Sequence, residues 1–419
     1  MFRKLLSIEE TKQILNESFS SKPVGAEQVP VSEAHNRVLA EDVVALIDVP
    51  PFHRATVDGY AVRAINTFGA DEDRPITLKL CGSVSVGETT SIVVKNGTTA
   101  EIVTGAPVPQ GADAVVMLEY AVQRGDNVLI YRPVSMGENV MKAGSDIRKG
   151  ETILKRGQTL SSREIGVLAA LGWTRVDVYQ RPRVAVVSTG AEIAEPGKPL
   201  PPGKIYDINA YTLSAAVSEC GGKPVNFGIV PDDADQLKAV LKEALNSADV
   251  VVTSGGVSVG PSDVIPQVLN QLGKPGVIVC GLASKPGKPT TMALIDGKPV
   301  FSLPGHPTSS LLMFYQFVRP LIRGMAGRPE EAPFKVKAIT TEKMFPARGR
   351  RTFVMVKLTR DKSGRLLASP VPLGLSGAIT TLAKADGFVE IHESQQFISI
   401  GDEVTVRLFK PLYATVSME

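Results

Sequence analysis

The chain has 419 residues, roughly three times an ordinary domain, so it must fold around several separate cores. Apolar residues make up 43% and charged residues 21%, which excludes a disordered polyelectrolyte and a collagen-like repeat. A net charge of only +3 argues against a nucleic-acid binder that works by bulk charge, though a local basic pocket remains possible. Three cysteines (Cys81, Cys220, Cys280) and four histidines are scattered, which gives no disulfide framework, no paired-cysteine zinc site and no HExxH. The first ten residues turn acidic at Glu9, before a signal-peptide core could form. No apolar run reaches the roughly 18 residues of a spanning helix. The expectation is a soluble, cytoplasmic protein with no membrane and no nucleic-acid partner.

In chain order, Ser7 and Glu10 have capping-box spacing and predict a helix through Phe19, closed by Pro23 and Gly25. From about 39 to 140 the pattern changes to short β-prone runs at 76–80, 92–94, 114–118 and 128–131, separated by turn residues. Ser161 and Glu164 start a second capped helix, ending at Gly172. Residues 183–325 alternate apolar strands (184–188, 225–230, 250–253, 277–280, 300–302) with helices (209–220, 233–246, 263–272, 307–323). That alternation predicts βαβ units and a mostly parallel sheet. From about 332 short strands return at 353–358, 388–391 and 404–408, predicting a terminal β domain.

In an open parallel sheet, ligands bind beyond the carboxyl ends of the strands. Those positions carry small, hydroxyl or acidic residues here: Thr189-Gly190-Ala191-Glu192, Pro231-Asp232-Asp233, Ser254-Gly255-Gly256-Val257-Ser258-Val259-Gly260 with Asp263, and Leu303-Pro304-Gly305-His306-Pro307. The Ser/Gly run lets backbone N–H groups approach an anion and feeds a helix N-terminus, but it is neither a Walker loop nor GxGxxG. On the residues alone a plain βα loop capped by Asp263 explains it equally well. Glu192, Asp232 and Asp263 follow different strands and could converge on a divalent metal, whereas Asp232-Asp233 also suits ordinary helix capping. Lys285-Pro286-Gly287-Lys288-Pro289 is a stiff basic loop whose two ammonium groups could hold an oxyanion. Taken singly, Asp58-Gly59-Tyr60 and Thr104-Gly105-Ala106-Pro107 read as common turns.

Together these strings resemble one family in order. The stretches 56–61, 104–107, 144–147, 188–192, 254–260, 285–289 and 303–307, with Ser376-Gly377 and Ala385-Asp386-Gly387 behind them, are similar to the molybdopterin molybdenumtransferases, including MoeA and the gephyrin E domain. The resemblance implies a multidomain α/β protein. Its parts would be a connecting, dimerising domain (1–45 and 141–180, elongated), a small β-rich domain (46–140), a three-layer α/β molybdopterin-binding domain (181–328) and a C-terminal β-barrel (329–419). It implies insertion of molybdate into adenylylated molybdopterin with release of AMP, magnesium as cofactor, a homodimer, and an upstream molybdopterin adenylyltransferase as partner.

Carried over residue by residue, the resemblance implies catalytic roles for Asp58, Thr104, Asp146, Glu192, Asp232 and Asp263, with Glu192, Asp232 and Asp263 also as metal ligands. It implies substrate binding by Ser254, Gly255, Gly256, Ser258, Lys285, Lys288, Pro304, Pro307, Arg350 and Ser376. Asp58 and Thr104 would reach the site of the other subunit. Gly281, His306 and Val57 stand where the family more often carries a basic residue, asparagine and methionine. Three other readings compete: tungsten insertion by a paralogue, a scaffold on the same fold, and a nucleotide phosphotransferase, the last disfavoured by the missing Walker lysine.

Overall fold

The computed structural model describes residues 5–256, 264–329, 334–371 and 379–410. The chain divides into two compact units: Gln28–His35 with Leu39–Asp177, and Met1–Glu27 with Asn36–Val38 and Val178–Glu419.

The first of these is built on a six-stranded mixed sheet in the order Ala114–Met117, Gly59–Val62, Thr98–Ile102, Ile76–Val84, Asn127–Ile130, Ala121–Arg124. Alternating side chains bury both faces. Tyr60, Val62, Leu78 and Val116 fill one core, and Ala61, Val84, Ala100 and Val115 the other. The expected strand at 92–94 does not form: Val93 makes only an isolated bridge to Gln110, because Thr90 and Pro109 turn the chain before a ladder can grow. Helix Ser162–Ala170 carries the predicted capping box, with Ser161 and Glu164 satisfying each other's backbone N–H.

In the larger unit a six-stranded sheet runs Lys223–Val230, Arg183–Thr189, Val250–Ser254, Lys298–Leu303, Thr291–Ile295, Pro275–Cys280. Its first four strands are parallel. The mostly parallel sheet expected for this region is borne out by these four strands. An unforeseen strand, Thr291–Ile295, intervenes and pairs antiparallel on both sides. Two reversals restore direction, so Pro275–Cys280 still ends at the same edge as the parallel strands. Helix Asn209–Glu219 and the 307–325 helical segment pack on one face, around Leu213, Val217, Phe301 and Phe314. Helices Ala234–Ser247 and Val264–Leu272 cover the other, around Leu241, Leu269 and Val300. This is a three-layer α/β arrangement. The predicted helix 307–323 is not uniform: Pro307–Met313 and Arg319–Met325 flank a π-helical turn, Phe314–Val318. Pro320 has no N–H to donate, which frees the carbonyls one turn earlier and accommodates the wider turn.

Strands Arg351–Arg360, Leu366–Pro370, Lys335–Thr340, Glu403–Leu408 and Gly387–Ile391 follow one another round a ring, and the last pairs back to the first. That closure makes a five-stranded barrel around Val356, Leu358, Val389 and Val406 and leaves it without a free edge. Arg351, 8% exposed, joins the helix Ile8–Ser18 to the barrel by pairing with Glu9, Glu390 and Glu393. Phe19, just beyond that helix, packs edge-on against Phe301 at 5.4 Å. Because Phe301 is fully buried, Phe301→Ala should cost about 3–5 kcal/mol. Urea unfolding of this unit would check it, and a loss under about 1 kcal/mol would mean the sheet and the N-terminal helix are not packed through this ring.

Candidate functional site

The strand Arg183–Thr189 continues to helix Asn209–Glu219 on one face of the sheet, whereas Val250–Ser254 continues toward Val264–Leu272 on the other. These adjacent strands therefore leave their shared edge in opposite directions and open a crevice between them, the place where open α/β sheets bind ligands. The crevice is lined by residues with almost no side chain. Gly255 adopts φ +93°, and a Cβ there would collide with the Thr189 carbonyl oxygen. Gly256, at φ +60°, would place a Cβ 2.6 Å from Thr189 Oγ1 and 3.5 Å from Asp232 Oδ1. Gly305 approaches the Gly255 Cα to 3.5 Å by the same measure. Glycine is required here by sterics as well as by backbone angle.

Asn209 locks two of the loops. Its side-chain amide donates to Ser254 Oγ at 2.6 Å and to the Gly305 carbonyl at 2.7 Å. Ser254 Oγ in turn donates to the Pro304 carbonyl at 3.3 Å. Asp207 caps the same helix through the Ala210 N–H. Among the described residues, Ser188 Oγ, Thr189 Oγ1, Asn209 Oδ1, Thr253 Oγ1 and Ser302 Oγ are buried without a hydrogen-bond partner, and all belong to this edge. Of these only Thr189 Oγ1 is placed against the glycines of the crevice, 2.6 Å from where a Cβ at Gly256 would lie.

The predicted residues fall into three groups. Glu192, exposed and beside Gly190, and Asp232, exposed and beside Gly256, join Ser254, Gly255, Gly256 and Pro304 at the crevice. Pro307 opens the helix that starts there, with His306 at its N-cap; the His306 carbonyl accepts from the Ser310 N–H and its side chain makes no capping bond. Lys285 and Lys288 form a second group. Thr290 donates its N–H and hydroxyl to the Gly287 carbonyl, and the Lys288 carbonyl accepts from Leu282 N–H at 2.9 Å, so the loop is folded back and fixed. Ser284–Lys285 pairs with Arg351 and Thr352 of the barrel, which brings Arg350 to the same wall. Gly281 sits at φ +85°, where a Cβ would meet Leu5 at 2.9 Å, so this chain's backbone disfavours any larger residue at that position.

The third group lies in the smaller unit. A Cβ at Gly59 would strike the Val116 carbonyl, so only glycine lets the neighbouring strands close at that point. Asp58, held just before it, accepts from the Thr104 N–H at 2.6 Å and the Thr104 hydroxyl at 2.8 Å. The N–H first and the hydroxyl second hold its carboxyl below the usual range. Asp146 occupies another turn, its N–H on the Val49 carbonyl. Ser258, Asp263 and Ser376 lie outside the described residues.

Thr189 and Asn209 also line the crevice, although the sequence reading gave them no role. Asp207-Ile208-Asn209 reads in sequence as an ordinary helix start, and only the fold brings Asn209 against Ser254 and Gly305, 45 and 96 residues away. Among the described residues no three acidic, histidine or cysteine side chains form a metal-binding group. Asp232 and the Thr189 hydroxyl, which flank Gly256, are oxygen donors of the kind a hard cation takes when a phosphate supplies the rest.

Three family models match the chain: the MoeA N-terminal region (domain I and II) over 6–172, a probable molybdopterin binding domain over 185–324, and the MoeA C-terminal region (domain IV) over 337–409. A molybdopterin molybdenumtransferase 2 of Mycobacterium tuberculosis is 34% identical over 405 residues, covering 96% of this chain and 98% of its own. A molybdopterin molybdenumtransferase of Staphylococcus aureus is 33% identical over 408 residues, covering 97% and 96%. The crystal structure of a molybdopterin biosynthesis moea protein from Pyrococcus horikosii superposes with a TM-score of 0.86 at 44% identity, covering 98% of this chain and 100% of that one. No helix among the described residues is long and apolar enough to cross a membrane.

The Asp58–Thr104 pair has a direct test. Its ionised form is favoured by two bonds, so the stabilisation they give is present above the ordinary carboxylate pKa and lost as pH falls through the lowered value. Thr104→Val removes the hydroxyl bond, keeps the N–H bond, and should move the Asp58 titration part of the way back up. Carboxyl-carbon NMR would show it; an unmoved titration would mean the hydroxyl bond is not formed in solution.

Proposed function

The chain belongs to the molybdopterin molybdenumtransferase family, a family of enzymes of molybdenum cofactor biosynthesis, and from that premise we propose that it inserts molybdate into adenylylated molybdopterin and releases AMP. The observation that carries this reading is the glycine-lined crevice at the sheet's switch point, where a Cβ at Gly256 would fill the space between the Thr189 hydroxyl and the Asp232 carboxylate. Such an edge suits a substrate rich in phosphate and hydroxyl oxygens.

In this proposal the backbone N–H groups and hydroxyls from Ser254 to Gly256 hold the substrate's polar oxygens, and Asn209 keeps that loop against Gly305. Asp232 and Glu192 would hold magnesium, which supplies positive charge to the phosphoanhydride. Lys285 and Lys288, on their fixed loop, hold the molybdate dianion as point charges near Arg350. A molybdate oxygen attacks the adenylyl phosphorus as the phosphoanhydride P–O bond breaks, so AMP leaves with that oxygen and the phosphate stays on the pterin. The two dithiolene sulfurs then bind the metal, their protons leaving with a second oxygen as water, and molybdenum keeps its oxidation state. Catalysis comes from placed charge, with no protein nucleophile in the scheme.

Asp58 and Thr104 enter from a second copy of the chain in a homodimer. The two bonds from Thr104 hold the Asp58 carboxylate in one orientation for that role. An upstream molybdopterin adenylyltransferase supplies the substrate. The same dianion chemistry would accept tungstate, so both oxyanions belong in the test.

The assay is AMP release from adenylylated molybdopterin with magnesium, run with molybdate, with tungstate and with neither. Oxyanion-dependent release supports the reading, and hydrolysis of free ATP without it would replace it with a phosphotransferase. Asp58→Ala should lower turnover by about two orders of magnitude without unfolding the protein, as expected for loss of one preorganised charged contact. Lys285→Ala should raise the molybdate concentration needed for half-maximal release. An unchanged molybdate dependence would remove Lys285 from the site.

A further inference from the structure

The π-interrupted helical segment that begins at Pro307 carries its far end away from the strand edge: Arg323 lies 16 residues on, roughly 24 Å along a helix axis. At that end a cavity of about 480 Å³ is lined by Lys12, Arg319, Arg323, Arg328 and Arg407. None of the residues assigned above to the molybdopterin reaction lines it. In a chain of net charge +3, five cations around one cavity are a marked local concentration, and the described lining holds no carboxylate.

Several of these charges are fixed in position. Arg328 donates to the Glu219 and Asn36 carbonyls, and Arg323 to the Pro329 carbonyl at 3.1 Å. Arg407 pairs with Glu390, which lies outside the lining and is shared with Arg351. Arg319 lies over the Tyr315 ring at 5.7 Å. The Lys12 residue is exposed overall, yet its ammonium pKa is lowered, first by desolvation and then by the charge of Arg407, as expected where positive potential accumulates. The remaining wall is aromatic. Tyr315 and Phe388 each stand with ring centroids 5.8 Å from Phe409. A second cavity of about 470 Å³ shares Tyr315, Arg319, Arg323 and Arg328 and continues past Glu219 and Asp386.

We propose that this cavity binds an organic phosphate carrying a planar aromatic ring, of the size of a nucleoside monophosphate. Arginine forks match phosphate oxygens in paired bonds, and several arginines on one group favour a dianion over a single carboxylate. The aromatic wall gives the ring a stacking surface. The volume lies within the roughly 300–1,000 Å³ of small-molecule sites and is too large for phosphate alone. Glu219 and Asp386 in the second cavity place the anionic group in the first, with space beyond it for hydroxyl or amino donors.

The test is calorimetric titration of the full-length chain with AMP, inorganic phosphate and adenosine. It is run in a Gly256→Ala background, whose added methyl fills the crevice beside Thr189, so that binding at the strand edge does not contribute and failure of the proposed reaction leaves the result readable. AMP should bind, with phosphate and adenosine each weaker by about tenfold or more. Lys12→Gln, an exposed change on a helix surface, should weaken AMP about tenfold, and Arg319→Gln/Arg323→Gln should weaken it further, with thermal unfolding checked for each. Phosphate binding as tight as AMP would overturn the aromatic part of the proposal. AMP affinity unchanged in Lys12→Gln and in the paired arginine variant, or no AMP binding at about 1 mM, would overturn the site.

Discussion

The close approach of the Gly255 backbone to the Thr189 carbonyl governs the strand edge. Two parallel strands that leave a sheet toward opposite faces must part, and the gap is useful only if nothing fills it. Any side chain at 255 would push the loop off Thr189, and any at 256 would occupy the space between Thr189 and Asp232. With both positions bare, the crevice keeps the Thr189 hydroxyl and the Asp232 carboxylate on either side of an open space. Asn209 then prevents the loops from spreading, because its amide holds Ser254 and Gly305 together.

The barrel supports the second half of this edge. Ser284 and Lys285 lie alongside Arg351 and Thr352, so the basic loop leans on a closed wall that has no fraying edge. Gly287 packs against Met313 of the helix that begins at Pro307, which ties the loop to the same helix that carries the crevice's last turn. Arg351 adds an ionic tie from the barrel to the N-terminal helix. Glu9 is largely exposed in that pair, so the tie adds little net stability.

Features set by neighbouring residues were legible in the sequence. The capping boxes at Ser7 and Ser161 need only three residues of context, and both helices begin where that pattern places them. The four parallel strands were legible because each is a continuous apolar run flanked by turn residues. Thr291–Ile295 was not: it follows the prolines of the basic loop directly, and its pairing partners lie on both sides in the chain. The run at 92–94 shows the converse, β-prone residues with no ladder to join. In the crevice, the glycines and acids could be read from sequence because strand ends are predictable. Asn209 could not, since its role depends on two contacts distant in the chain.

The most direct test compares two alanines. Gly256 and Gly228 both have left-handed backbone, at φ +60° and +77°, so each alanine carries a similar strain of roughly 1 kcal/mol. A Cβ at 228 meets nothing within 4 Å, whereas one at 256 enters the space between Thr189 and Asp232. Assayed below both melting temperatures, of which that of Gly256→Ala should be the lower because its Cβ also crowds Thr189 and Ile265, molybdate-dependent AMP release should fall at least about a hundredfold in Gly256→Ala and stay near the parent level in Gly228→Ala. Equal activity in the two variants would contradict the account, because it would mean the space beside Thr189 is not where the substrate sits.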